Sequence, residues 1–219
     1  LGFRREDIAD DINMMFEARI NQLAERASNH PVKLIIDTLI AGTTDAGYDT
    51  VSFFNDTHPT RGAQTATQDN LLAGTGTTTA QLKTDFGTGL TAMKRFVDEE
   101  NEPFDEIIDS ILIVAPPDME INFLEAFEAT IISNTTNVLK GRSNLWITAR
   151  LVDINDWYML SVGGTLKPLV FQDREPIEFK ALTADSGDTA FNREIYQYGI
   201  RARYNVGYLF WQQAIKFVN

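Results

Sequence analysis

Apolar residues recur every three or four positions at Ile8, Ile12, Phe16, Ile20, Leu23 and Ala27. Residues 6 to about 28 therefore predict a long amphipathic helix with one continuous apolar stripe. Glu6, Asp7, Asp10 and Asp11 crowd its first turns, with Arg19 and Arg26 later, the order that the helix macrodipole favours. Pro31 is expected to interrupt or restart the helix, leaving residues 32–41 as a second piece that stops at Gly42. Residues 43–76 are rich in Gly, Thr, Asp and Asn, with an aromatic island at Phe53 and Phe54 and a turn-like Asp56-Thr57-His58-Pro59. A connection of that length without its own structure is unusual in a compact domain, so it reads as a functional or partner-contacting loop.

A capping box, Thr78 with Gln81, opens the next helix, which carries Leu82, Phe86, Leu90, Met93 and Val97 on one face. Gly87 and Gly89 inside it each cost roughly 1 kcal/mol against Ala, so that helix needs tertiary packing. Residues 110–115 read as a short buried strand ended by Pro116 and Pro117. A third helix is expected from about Asp118, with Met119, Phe123, Phe127 and Ile131 at four-residue spacing. Beyond Asn134 the period changes to two. Residues 145–151, 157–161 and 169–171 read as strands, and Tyr196, Tyr198, Ile200, Ala202, Tyr204, Val206, Tyr208 and Phe210 alternate with polar or small residues in a very long last strand. Helices first and long strands last indicate an α+β protein. The aromatic face of the last strand is expected to pack on the first helix through Ile12, Phe16 and Ile20.

The chain has 219 residues, 43% of them hydrophobic, enough for a sizeable core. It has no cysteine, which excludes disulfides and thiolate metal sites. Its net charge of −12 opposes general affinity for nucleic acid, which needs clustered Lys and Arg against phosphates. No apolar run approaches the length of a membrane span, and no secretory leader is visible. The chain starts at Leu1 rather than Met, so a processed or truncated protein is expected.

Candidate chemistry is sparse. His30 and His58 lie beside prolines and read as exposed turn residues without a partner at metal-ligand spacing. Ser161-Val162-Gly163-Gly164-Thr165 reads as a hairpin turn rather than a phosphate loop. Gly74-Thr75-Gly76 before a helix resembles an anion-binding helix start but lacks a lysine. Asp153, Asp156, Asp185 and Asp188 do not fall into the frame of a calcium loop. No catalytic, cofactor or metal site is expected.

Several segments in one order resemble the Mu-like major head subunits of bacteriophages. Arg5-Glu6-Asp7-Ile8 with Asp10-Asp11, then Asn29-His30-Pro31, is similar to that family's central helix. Tyr48-Asp49 followed by Phe53-Phe54-Asn55-Asp56-Thr57-His58-Pro59 is similar to its Tyr-Asp, Phe-Phe and His-Pro block. Leu112 to Pro117, Trp157-Tyr158, Lys167-Pro168, Phe171-Gln172-Asp173-Arg174, Tyr198-Gly199-Ile200-Arg201, Gly207-Tyr208 and Trp211-Gln212 extend the resemblance over nearly the whole chain.

The resemblance implies an α+β Hong Kong 97-type capsid fold. Residues 1–44 would be the peripheral-domain spine helix, 45–170 the axial domain, and 171–219 the return to long peripheral-domain strands. The amino-terminal arm and extended loop that precede the spine helix in that fold are not visible, so the chain is expected to lack them or not to include them. The implied protein is not an enzyme. It is a virion shell subunit, assembled in the host cytoplasm as pentamers and hexamers around double-stranded DNA that it encloses without sequence-specific binding. Scaffold and portal proteins are the implied partners, with no membrane and no cofactor. A nanocompartment shell enclosing enzymes is the structural alternative, and an acidic α+β hydrolase using Asp153 and Asp156 the catalytic one. Candidate subunit contacts are Phe53, Phe54, His58, Pro59 and Arg61. Adjacent side chains of an extended segment point to opposite faces, so one phenylalanine is expected to anchor the loop while the other reaches a neighbour, outside the monomer's core.

Overall fold

A computed structural model describes residues 1–10, 15–59, 67–98, 102–103, 110–132, 135–182 and 195–219. In chain order the elements are β1 (Gly2–Arg4), α1 (Arg5–Ala9), α2 (Met15–Ala41), β2 (Leu71–Ala73), α3 (Thr79–Arg95), β3 (Ile111–Ala115), a 3-10 turn (Pro117–Met119) and α4 (Glu120–Phe127). There follow β4 (Ile131–Ile132), β5 (Thr135–Thr136), β6 (Ser143–Ile147), β7 (Trp157–Ser161), β8 (Leu169–Leu182), β9 (Ile195–Tyr208), a second 3-10 turn (Trp211–Gln213) and β10 (Ala214–Val218). They form two compact units, Leu1–Ile35 with Phe171–Val206, and Ile36–Val170 with Gly207–Asn219.

In the first unit the sheet order is β1-β9-β8, with Phe3 opposite Tyr196. Phe3 is buried and meets Phe16 edge-on at 4.7 Å and Tyr198 at 6.1 Å. The expected seam between helix and strand thus forms at Phe16 through Phe3. Ile12 lies outside the described residues. Tyr204 is half-buried, with its ring 5.8 Å from His30 and 5.4 Å from Phe171. α2 runs unbroken through Pro31. The proline loses the bond to the carbonyl four residues back and crowds that carbonyl, a cost that the rest of a 27-residue helix can absorb. His30 is therefore an exposed helix residue, not a turn residue.

β8 extends eleven residues beyond the predicted 169–171, because it is an edge strand. Its sequence Asp173-Arg174-Glu175-Pro176 looks unlike a strand, but at an edge the side chains meet water and a missing N–H breaks no ladder.

The second unit is built on a mixed sheet, β2-β10-β7-β3-β6. β10 runs parallel to β2 and antiparallel to β7, and β3 runs antiparallel to β7 and parallel to β6. All five residues of β7 are buried. Trp157 stacks on Phe217 at 4.2 Å and meets Phe123 of α4 at 5.2 Å, while Tyr158 on the opposite face meets Phe54 at 5.4 Å. Both faces of the strand are covered, which is why Trp-Tyr-Met-Leu-Ser shows no alternation. A Cβ on Gly89 would stand 2.9 Å from Phe217, so the glycine lets α3 approach β10, whereas Gly87 faces open space.

Three expectations change in this unit. Residues 43–59 and 67–76 contribute to its core, since they contain β2, the buried side chains of Phe53, Phe54, His58 and Asn70, and bridges Ala46 to Ser52 and His58 to Gln68. Residues 161–165 are not a hairpin turn, because β7 and β8 lie in different sheets. The segment 207–219 does not go with 171–206, since β10 is an internal strand of the second unit's sheet. The α4 stripe places Met119, Phe123 and Phe127 in the core as read, but the helix ends before Ile131.

Candidate functional site

The loop that carries the Tyr-Asp, Phe-Phe and His-Pro block is held by its own backbone. The Phe53 N–H donates to Asp45 O at 2.9 Å, Phe54 N–H to Gly42 O at 2.7 Å, and Gly47 N–H to Val51 O at 2.7 Å. Phe53 stacks on Tyr208 at 4.6 Å, and Phe54 fills the space beside Gly42, where a Cβ would lie 2.7 Å from the ring. Their exposures are 0% and 1%. Neither ring reaches out of the subunit; the adjacent side chains do point apart, but both directions are covered by the same unit.

His58 is also fully buried, against the expectation of an exposed turn. Its ring lies flat on Trp211 at 3.9 Å with 7° between planes, and Phe96 meets that indole edge-on at 5.2 Å. Nδ1 is 2.6 Å from Asp49 Oδ2, and Nε2 is 3.0 Å from Asn70 Oδ1. The orientation of Asn70 follows from its other bonds. Nδ2 donates to Phe53 O at 2.9 Å and to Trp211 O at 3.3 Å, while Oδ1 accepts from Asn55 N–H at 2.9 Å. Nε2 of His58 is therefore a donor, and Nδ1 faces a carboxylate that can only accept when ionised. Nearby, burial pushes the Asp69 carboxyl above its ordinary value, partly offset by the N–H of Leu71.

This cluster of buried side chains ties the loop to the carboxyl-terminal turn. Asp49, Asn70 and Trp211 were not legible as partners of His58, since the imidazole and indole lie 153 positions apart in sequence. Pro59, by contrast, is exposed, and Arg61 lies outside the described residues.

The other candidates have structural partners. Asp156 pairs with Lys216 at 3.0 Å and accepts from the Asn219 N–H at 3.2 Å. Asp153 caps a turn through the N–H of Asn155 at 2.9 Å. Asp185 and Asp188 lie outside the described residues. In the glycine segment before α3, the Thr75 N–H and hydroxyl donate to Asp85 and the Gly76 N–H to Asn219, so these donors are already satisfied. Among the described residues no three His, Asp or Glu side chains gather where a metal ion would be held, and no helix is long and apolar enough to cross a membrane.

The family model for the Mu-like prophage major head subunit gpT matches residues 1–84 and 148–218. This chain belongs to that family. Among the relatives of this chain, one from Haemophilus influenzae, the Mu-like prophage FluMu major head subunit, is 24% identical over 211 residues, covering 96% of this chain and 46% of the relative. The major capsid protein of Escherichia phage Mu is 36% identical over 59 residues, covering 27% of this chain and 19% of its own length. The chain thus spans about half the length of the Haemophilus relative. Among solved structures, the mature capsid of bacteriophage PhiM1 matches at a TM-score of 0.61 and 11% identity, over 99% of this chain and 68% of that one. The procapsid of bacteriophage JBD30 matches at 0.52 and 23% identity, over 99% and 49%. The fold is the α+β Hong Kong 97-type capsid fold.

Two tyrosines link the chain's stability to alkaline pH. Tyr208 donates its hydroxyl proton to Thr38 O at 2.7 Å, and burial together with Asp45 pushes it up to about 12. Burial, with Asp156 and Asp153, also raises Tyr158. A phenol whose folded value lies above the unfolded 10.0 contributes stability that is complete below pH 10 and lost as pH rises through its folded value. Thermal unfolding is expected to hold level up to that point and then fall, with a shallower fall in Tyr208→Phe. An identical alkaline slope in the variant would remove Tyr208 from this linkage.

Proposed function

We propose that this chain is the shell-building region of a major head subunit. Copies assemble non-covalently into pentamers and hexamers of an icosahedral shell, the virion capsid, around packaged double-stranded DNA. The family match carries this reading, because residues 1–84 and 148–218 draw on both compact units. The net charge of −12 supports a wall from which a like-charged genome is repelled. In this reading the first unit serves as the peripheral domain and the second as the axial domain. The subunit has no catalytic role; it assembles in the host cytoplasm with scaffold and portal proteins.

The subunit contact assigned to the loop passes from its buried residues to Pro59. Phe53, Phe54 and His58 are anchored in the subunit's own core, which leaves exposed Pro59 to meet a neighbour, while Arg61 lies outside the described residues. His58 and Gln68 exchange backbone hydrogen bonds at 2.9 and 3.1 Å, which holds these two positions together.

Replacing residues 60–67 by two glycines in the full-length protein is expected to leave circular dichroism unchanged while particle yield by electron microscopy drops. Normal particles would make residues 60–67 dispensable. Absence of particles from the parent protein would overturn the shell reading, and protein cargo without nucleic acid in purified particles would favour a nanocompartment.

A further inference from the structure

In a chain of net charge −12, the first unit has a cleft of about 790 Å³ between α2, β8 and β9 whose rim is cationic. Arg26 of α2, Arg174 of β8 and Arg203 of β9 stand around it, with His30. The floor is half-buried and apolar at Leu23, Ile200 and Tyr204. Arg203 is paired with Glu175 at 3.3 Å and His30 with the Tyr204 hydroxyl at 3.0 Å. Arg26 and Arg174, both exposed, have no ion pair among the described residues.

The same unit carries the opposite charge elsewhere. Glu6, Asp7 and Asp10, all exposed, lie on and just after α1, Asp10 four residues from Glu6 and three from Asp7, after Arg4 and Arg5 at the start of the helix and with no basic residue in its last turn. α1 follows β1, which pairs with residues 195–197 of β9, whereas the cleft uses residues 200–205 of that strand. At ~3.3 Å per residue the acidic face and the basic cleft are offset by roughly 20 Å along β9.

A ring of more than two identical subunits needs two different, complementary faces on each copy. Copies that share a large negative charge also repel unless opposite charges meet locally. We infer that the Arg26–Arg174 cleft of one copy receives the Glu6–Asp7–Asp10 face of a second copy of this chain. The contact is head-to-tail, so it leaves a free cleft and a free acidic face for the next copies. This inference rests on the shell reading for its biological setting, but its chemistry is tested by charge exchange between copies.

Two full-length variants serve, Arg26→Glu with Arg174→Glu, and Glu6→Lys with Asp7→Lys and Asp10→Lys, each checked by circular dichroism. All five positions are exposed. In sedimentation at low salt, each variant alone is expected to self-associate roughly tenfold more weakly than the parent, because both its faces carry one sign. Their equimolar mixture, and a chain carrying all five changes, should regain association. Arg26→Gln with Arg174→Gln, which removes charge without adding repulsion, should lose association in part. Parent-like association of the Arg26→Glu, Arg174→Glu chain, or a mixture that stays apart, overturns the inference. So does a variant that associates normally but no longer retains nucleic acid, which would assign the cleft to DNA. Charge exchange that holds in sedimentation while the parent forms no closed particle would sink the shell reading and leave this contact standing.

Discussion

Trp211→Ala is expected to destabilise the second unit by about 3–5 kcal/mol, the range for truncating a buried aromatic side chain. Trp211 is 2% exposed. Its indole supports the His58 ring at 3.9 Å on one side and receives the Phe96 edge at 5.2 Å on another. Removing it opens a cavity bordered by an imidazole whose two nitrogens are committed to Asp49 and Asn70. The polar pair then loses its apolar cover, and the loop base cannot collapse inward without breaking those bonds. Trp211→Phe, which keeps a ring, should cost less. Denaturant unfolding of the three proteins measures the difference, and a loss below about 1 kcal/mol for Trp211→Ala would mean that the stack contributes little.

Asn70→Leu should have an effect of similar size by a different route. The asparagine makes four hydrogen bonds, to Asn55 N–H, His58 Nε2, Phe53 O and Trp211 O. Leucine nearly matches its size but removes the partner of the Asn55 N–H, of His58 Nε2 and of Phe53 O in a fully buried place, whereas Trp211 O still accepts from the Ala214 N–H. Each unsatisfied buried group costs about 1–3 kcal/mol, so a total of at least ~3 kcal/mol is expected even after relaxation. The loop is held at both ends by this residue, so hydrogen exchange at Asn55 and His58 should accelerate more than at β3 or β7. Equal protection in variant and parent would show that the loop base does not depend on Asn70.

Much of the architecture was legible from the chain. The run Trp157–Ser161 is bounded by polar turn residues and stands as β7 with the same limits. Thr78 and Gln81 mark the start of α3, where Gln81 Oε1 accepts from the Thr78 N–H at 3.1 Å. The alternation from Tyr196 onward is β9, with its half-buried and exposed residues in the order expected. β10 escaped notice because Ala-Ile-Lys-Phe-Val follows the long strand with no glycine or proline to mark the 3-10 turn at Trp211–Gln213.

His58 was misread because its surroundings in the sequence are those of a turn. Proline and aspartate beside a histidine predict exposure when only neighbours in the chain are considered. Burial came from Asp49, Asn70 and Trp211, which compensate its polar atoms and cover its face. A polar side chain can be buried wherever partners converge, and convergence over 153 positions leaves no periodic trace.

What the sequence by itself determined is therefore the main helices, the strands β3, β7 and β9, their order, the α+β class and the family resemblance. Periodicity and capping act within a few residues and can be read directly. The tertiary structure decided the rest: that Phe53 and Phe54 face inward, that α3 rests on β10 at Gly89, and that β10 joins the second unit's sheet. Each of these depends on which surfaces meet after the chain has folded, and the free energy of that meeting belongs to pairs of distant residues rather than to either segment alone.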